Sequence, residues 1–220
     1  MKFFLNILFL VLPFLMYSQE KISYDESGKA ITEAEFQKKW RDKNLNLYRW
    51  DYMENNKRIC TLKKEQIQYP DLEYSMTIKL LEKKLDTVFS KNAIVVLDYW
   101  YYNDICSSFR DDKWPSSELR EIKEFNELRL KKNKKRFKKN NQELYVFYVF
   151  EKNSIVKKKN KDYFKSFVLD SDDFFRENYF KEKAMCGSNL IITPSGSLLY
   201  NGEASIGGLL DKYINRIYLK

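Results

Sequence analysis

Cysteine is the residue type with the most chemical potential in this 220-residue chain. Three cysteines, Cys60, Cys106 and Cys186, are spread along a sequence that contains no histidine. Because imidazole is missing, the sequence excludes a Ser-His-Asp triad, a Cys-His nucleophile pair and His-ligated zinc or non-haem iron. It also has no glycine-rich phosphate loop and no calcium loop, so we expect no metal and no cofactor. Any reaction must use carboxylates, Lys, Tyr, Ser or Cys.

The N-terminus has the pattern of a secretory signal peptide. Residues 1–18 contain one positive charge at Lys2, an apolar run over residues 3–15, and Ser18 before a polar segment. This run is shorter than the roughly 20 apolar residues that span a bilayer. We therefore predict export, with a periplasmic or secreted mature protein that has no transmembrane segment. In an oxidising compartment, three cysteines allow one internal disulfide and leave one thiol.

Residues 19–85 are predicted to form an N-terminal extension of mixed α and β structure. Thr32 and Glu35 have the spacing of a capping box at the start of a short helix. Two β-like runs, residues 45–52 and 57–62, are separated by a turn signal and suit a hairpin. A second helix is marked on one face by Tyr74, Ile78, Leu81 and Leu85.

Residues 86–220 alternate between strands and helices, which indicates an α/β domain. Two apolar runs, residues 93–99 and 143–150, are typical of strands covered on both faces. A long helix is predicted over residues 116–139, and a hairpin over residues 190–200 precedes a closing amphipathic helix. The inner side of the long helix is predicted to carry Leu119, Ile122, Phe125 and Leu128.

This order resembles the thioredoxin-like fold over about residues 86–220. Residues 95–100 (VVLDYW) are similar to the first core strand of that family, which ends in Asp-Phe-Trp. Residues 189–200 resemble its hairpin, and Gly202 with the last helix stands where the family places its final glycine and helix. The signal peptide, which ends in Met-Tyr-Ser before Gln19, is similar to those of Bacteroidetes-type bacteria. The resemblance implies a thioredoxin-like three-layer sandwich with an N-terminal α+β extension.

The chain departs from the family at the redox motif. The family has Cys-x-x-Cys after this strand, with the first thiolate stabilised at a helix N-terminus. Without a gap, the two cysteine positions fall on Asp104 and Ser107. With a one-residue deletion, Cys106 becomes the second cysteine and Asn103 replaces the first. No alignment supplies both cysteines, so exchange through a local Cys-x-x-Cys pair is excluded.

The resemblance also implies a replacement for the missing pair. The family's cis-proline loop corresponds to Gly187, directly after Cys186, and it packs against the redox motif. The fold would therefore bring Cys106 and Cys186 together as a disulfide. Asp98 corresponds to the family's buried proton acceptor, although a strand-end Asp bonded to nearby backbone is an equal alternative. Cys60, in an alternating strand, is expected to be a buried spare thiol.

Two surface features leave alternatives open. The aromatic run 99–102 either lines a binding surface at the strand end or packs with its polar tips outward. Residues 129–139 contain eight basic residues in eleven, which suits a solvated helix end or a weak contact with an anionic surface. We expect no nucleic-acid partner, since no RNA-binding or helix-turn-helix signature is present.

The sequence thus predicts an exported thioredoxin-like protein with a degenerate redox site. Its candidate site residues are Cys106, Cys186 and Asp98, and its partner would be a thiol- or disulfide-bearing protein. The alternative is a non-catalytic envelope binding or scaffold protein with a structural disulfide.

Overall fold

The computed structural model of the protein describes residues 20–105, 112–202 and 205–218. A small four-stranded sheet, ordered β2-β1-β4-β3, comes first in the chain. Its strands are β1 (Lys21–Tyr24), β2 (Ala30–Ile31), β3 (Leu47–Glu54) and β4 (Lys57–Lys64). Strands β3 and β4 form the predicted hairpin, and Asn55 and Asn56 both have positive φ in its turn. Such a turn matches the twist of the two strands.

Helix α1 (Glu33–Arg41) packs on this small sheet. It begins with the predicted capping box, in which the Thr32 side chain accepts from Glu35 N–H and the Glu35 side chain accepts from Thr32 N–H. Phe36 is buried in a cluster with Leu47, Cys60 and Leu62. The helix therefore forms because a local N-terminal signal and one buried ring act together.

A six-stranded sheet forms the centre of the rest of the molecule. Its order is β10-β8-β6-β11-β12-β5. These strands are β5 (Gln66–Gln68), β6 (Ile94–Trp100), β8 (Leu144–Glu151), β10 (Phe167–Asp170), β11 (Ser188–Thr193) and β12 (Gly196–Asn201). Strands β6, β8 and β10 are parallel, whereas β11, β12 and β5 follow with antiparallel pairings. Two short strands, β7 (Lys113–Trp114) and β9 (Ile155–Val156), form a separate parallel pair.

Both faces of the large sheet are buried, as the near-continuous apolar strands predict. On one face, Ile94 and Val96 pack with residues of α3 (Ser116–Lys139) and α5 (Ile206–Tyr218). On the other face, Val95 and Leu97 pack with α2 (Tyr74–Leu85), α4 (Phe174–Asn178) and aromatic residues of the small sheet. The chain is therefore an α/β protein, in agreement with the predicted class.

The predicted inner side of the long helix is partly wrong. The helix spans residues 116–139 as predicted, but Phe125 is 53% exposed and Leu128 is 74% exposed. Steps of three residues turn the direction of a helical side chain by about 60° each, so Leu128 points away from the face that Leu119 buries. The buried residues are Leu119, Leu130, Asn133 and Phe137. Among the described residues, none of the helices is both long and apolar enough to cross a bilayer.

Candidate functional site

Asp98 is a buried carboxylate near the end of β6. It points to the same face of the sheet as Val96, and it is 6% exposed. Trp100 Nε1 donates a hydrogen bond of 3.1 Å to its Oδ2. Burial raises the pKa of Asp98 to about 7, and the bond from Trp100 offsets only part of this effect. The carboxyl group can therefore gain or lose a proton near neutral pH.

Asp98 and Cys186 line the same groove. This groove has a volume of about 580 Å³ and lies between the end of the large sheet, α3 and the start of α5. Its other lining residues are Trp100, Glu121, Ile122, Phe125, Asn126, Ser205 and Ile206. The structure thus brings together two of the three predicted site residues. The third, Cys106, lies outside the described residues.

Gly187 allows the Cys186 loop to approach the end of β6. Its φ is +93°, and a Cβ at this position would lie 2.5 Å from the carbonyl oxygen of Tyr99 and 3.6 Å from Asp98 Oδ1. A contact of 2.5 Å with backbone is not tolerated, so only glycine fits here. None of the peptide bonds between described residues is cis, including those at Gly187.

The two described cysteines have different states. Cys186 is disulfide-bonded, whereas Cys60 is a free, buried thiol as predicted. Burial raises the pKa of Cys60 to about 11, and the charge of Asp51 adds to this effect. Cys60 therefore stays protonated at neutral pH and is a poor nucleophile.

Three acidic side chains hold the loop that follows β6. Glu151 accepts from the backbone N–H of Tyr102 at 2.7 Å, and Asp112 accepts from that of Asn103 at 2.8 Å. Asp104, within the loop, accepts from the N–H of Cys186 at 2.8 Å. All three carboxylates are buried. These bonds hold residues 102–104 at the start of the loop, and Asp104 connects them directly to Cys186.

Glu151 is also the centre of an ion-pair network. Its two oxygens accept from Arg176 Nε at 2.9 Å and from Lys183 Nζ at 3.0 Å. These contacts compensate the charge of the buried carboxylate. The residues that hold Glu151 come from α4 and the segment just before Cys186, so the network joins the loop after β6 to the cysteine loop.

The aromatic run 99–102 has a mainly structural role. Tyr99 and Tyr101 are buried, and their hydroxyls donate to Asp170 at 3.1 Å and to the carbonyl of Glu182 at 2.6 Å. Trp100 lines the groove, whereas Tyr102 is exposed. Two of the four residues therefore pack in the core, and Trp100 faces the candidate site.

The free edge of the small sheet contacts both loops at the site. Asn103 Nδ2 donates to the carbonyl of Met53 at 3.1 Å, and Met53 N–H donates back to Asn103 Oδ1 at 3.4 Å. Met185 N–H donates to the carbonyl of Arg49 at 3.0 Å. Strand β3 thus supports the loop after β6 and the loop that carries Cys186.

These supporting contacts were not found from the sequence. The sequence marks Asn103 only as the residue that replaces a cysteine of the family motif, and no motif marks Glu151 or Asp112. An acidic residue at the end of an apolar strand, as in Glu151, was the available signal. The described residues contain no group of three or more Cys, Asp or Glu side chains arranged to hold a metal ion. Comparisons with family models, curated proteins and solved structures give no match.

Proposed function

We propose that the protein is an exported thioredoxin-like protein with a degenerate redox site. In this proposal, Cys106 and Cys186 form a disulfide that exchanges with a thiol- or disulfide-bearing partner protein. The observation that carries the proposal is the shared groove, in which a buried carboxyl with a pKa near 7 lies beside a disulfide-bonded cysteine. Perturbed carboxyls in clefts are candidates for proton transfer.

The arrangement of elements supports the thioredoxin-like part of the proposal. Strand β6, helix α3 and strand β8 form a parallel β-α-β unit, and the hairpin β11–β12 and helix α5 follow in the chain. In the sheet, β6 lies between β8 and β11, and β11 runs antiparallel to it. The order of these elements along the chain is the one that the sequence resemblance implies. Strand β10 is an additional edge strand beside β8.

The cysteine states support the proposed pairing. Of the three cysteines, Cys60 is free and Cys186 is bonded, which leaves Cys106 as the proposed partner. A disulfide that closes so long a loop stabilises a protein by roughly 4 to 5 kcal/mol in the loop-entropy description. The bond would therefore contribute to stability even if exchange is slow.

The proposed reaction is a two-step thiol-disulfide exchange. When the pair is reduced, one thiol loses its proton, and its sulfur attacks a disulfide of the partner to form a mixed disulfide. The second thiolate then attacks this bond, which releases the partner as a dithiol and restores the Cys106–Cys186 disulfide. Asp98, as a carboxylate, would accept the proton from a thiol in the groove. Each cycle needs a dithiol reductant to supply two electrons.

One observation favours the non-catalytic alternative. The described start of the loop after β6 is held by buried carboxylates and by the edge of β3, and these contacts resist movement of residues 102–104. A disulfide used only for stability is compatible with such restraint, whereas exchange needs access to a sulfur. The exchange function and the structural function therefore predict different redox behaviour for the proposed Cys106–Cys186 disulfide.

Disulfide mapping and a redox titration of the protein expressed without residues 1–18 test the proposal. We expect a crosslinked peptide with Cys106 and Cys186, a reduction potential above about −300 mV, and turnover in a disulfide-reductase assay. Cys106→Ser and Cys186→Ser should abolish turnover, and the matched control Cys60→Ser should retain it. A lower potential without turnover favours the structural alternative. Separate Cys106 and Cys186 peptides would refute both disulfide versions.

Export is tested separately by expressing the full chain in a bacterial host with a periplasm. We expect a product in the periplasm or medium whose N-terminus is Gln19. A full-length product that stays in the cytoplasm would contradict the localisation part of the proposal.

A further inference from the structure

The C-terminal half of helix α3 presents a dense set of exposed cations. Lys131, Lys132, Lys134, Lys135, Lys138 and Lys139 are all exposed, and Arg129 lies beside them. Of the basic residues from 129 to 139, Arg136 has an ion pair, at 3.7 Å from Asp211. This density of positive charge creates a local potential that attracts anionic surfaces.

Two exposed apolar side chains lie at the start of this basic region. Leu128 is 74% exposed, and Phe125 is 53% exposed with Arg129 stacked over its ring at 4.0 Å. At about 100° per residue, Leu128 points in nearly the same direction as Lys135 and Lys139. We call the surface of Leu128, Lys131, Lys132, Lys135 and Lys139 the basic ridge. It points away from the core, since Leu130, Asn133 and Phe137 form the buried face.

We propose that the basic ridge docks the protein onto the surface of a membrane that contains anionic lipids. The four lysines would contact the headgroups, and Leu128 would enter the boundary between headgroups and acyl chains. An apolar side chain flanked by lysines on one helix face is the combination that binds such interfaces. This inference concerns a surface outside the candidate redox site and does not depend on its activity.

The charges on the rest of the helix define the extent of the contact. Glu121, Glu124 and Glu127 are exposed on the turns before Leu128 and would be repelled by anionic lipids. The contact is therefore limited to the helix from Leu128 onward, a length of about 17 Å at 1.5 Å per residue. The protein would dock through one end of α3, with the acidic half directed away from the lipid.

Nucleic acid fits this surface less well than lipid does. Proteins that bind single strands combine cations with aromatic rings on which bases stack. The one aromatic residue between positions 129 and 139 is Phe137, which is 1% exposed and packs in the core. Within the ridge itself the exposed apolar residue is the aliphatic Leu128, which suits an acyl boundary and offers no stacking surface. The neighbouring ring of Phe125 is already stacked by Arg129 at 4.0 Å.

Vesicle co-sedimentation tests the proposal. The protein without residues 1–18 is mixed with phosphatidylcholine vesicles, with or without phosphatidylglycerol, at low and high salt. We expect binding only when phosphatidylglycerol is present, and we expect it to weaken with salt. The variant Lys131→Gln/Lys132→Gln/Lys135→Gln/Lys139→Gln should bind more than about tenfold less tightly. Leu128→Gln should weaken binding several-fold at both salt concentrations.

The matched control changes the same number of charges elsewhere. Lys29, Lys38, Lys43 and Lys64 are exposed lysines of the N-terminal region, and their replacement by Gln changes the net charge equally. This control should bind vesicles like the parent. Equal loss in the two variants, or binding to neutral vesicles, would refute the proposal. The proposal is also refuted if the unaltered protein does not bind anionic vesicles but binds a DNA or RNA oligonucleotide.

Discussion

Replacing Asp98 by Asn should remove a pH-dependent loss of stability. Burial raises the pKa of Asp98 from 3.8 to about 7 in the folded protein. The folded protein therefore keeps this proton between about pH 4 and pH 7, where the unfolded chain has lost it. As a result, the parent is most stable below the unfolded pKa and loses stability as pH rises toward 7. At about 1.4 kcal/mol per pH unit, the full loss is about 4 kcal/mol.

Denaturant unfolding at pH 5 and pH 8 measures this effect. Between these two values, the free energy of unfolding of the parent should fall by about 3 kcal/mol more than that of Asp98→Asn. The interval is favourable because the chain has no histidine that titrates within it. Burial also raises the pKa of Asp170, and the comparison of parent with variant cancels that contribution. The control Asp71→Asn, at an exposed position, should keep the pH response of the parent.

The reasoning is refuted if parent and Asp98→Asn respond equally to pH. That result would mean that Asp98 is ionised in the folded protein over the whole range, with water or cations as partners. The carboxyl would then have no reason to accept a proton from a thiol near neutral pH, and the proposed chemistry would lose its acid-base group.

Two further substitutions and one labelling experiment test the packing of the protein. Gly187→Ala should lower the free energy of unfolding by more than about 2 kcal/mol, because its Cβ meets the Tyr99 carbonyl. Gly28→Ala is the matched control in the same denaturant assay. The φ of Gly28 is also positive, but no atom lies within 4 Å of the added Cβ, so the free energy of unfolding should decrease by a smaller amount. Asn103→Ala should lower the free energy of unfolding by about 1 to 2 kcal/mol more than Asn153→Ala does, since both residues have positive φ but only Asn103 bonds to Met53. Equal losses in the two variants would contradict the supporting role of β3. Cys60 should not react with maleimide at pH 7 until the protein unfolds, and rapid labelling in the native state would contradict its burial and raised pKa.

Local signals in the sequence predicted many of the elements. The bounds of α3 follow from Pro115 at its start and the basic residues at its end, and the structure has the same bounds. The capping box at Thr32 is likewise encoded within four residues. Strands β6 and β8 are each shifted by one residue from the prediction, because apolar runs mark a strand without marking its pairing limits.

Features that depend on distant contacts were not predictable in the same way. The exposed position of Leu128 depends on which part of α3 the sheet covers, and a three-residue spacing alone does not fix that face. Strand β10 is only four residues long, and it exists because β8 offers an edge for it. The bonds of Asn103 to Met53 join positions 50 residues apart, so neither sequence segment indicates the other.

Strand β5 has a consequence for the order in which the molecule folds. It pairs with β12, and Glu65, just before β5, accepts a 2.8 Å hydrogen bond from Tyr200, which lies 135 positions later. Closing so long a loop is slow, and the partner strand is synthesised long after β5 itself. The edge of the large sheet at β5 can therefore form only after β12 has been synthesised. Truncation before residue 196 would leave this N-terminal strand without its partner.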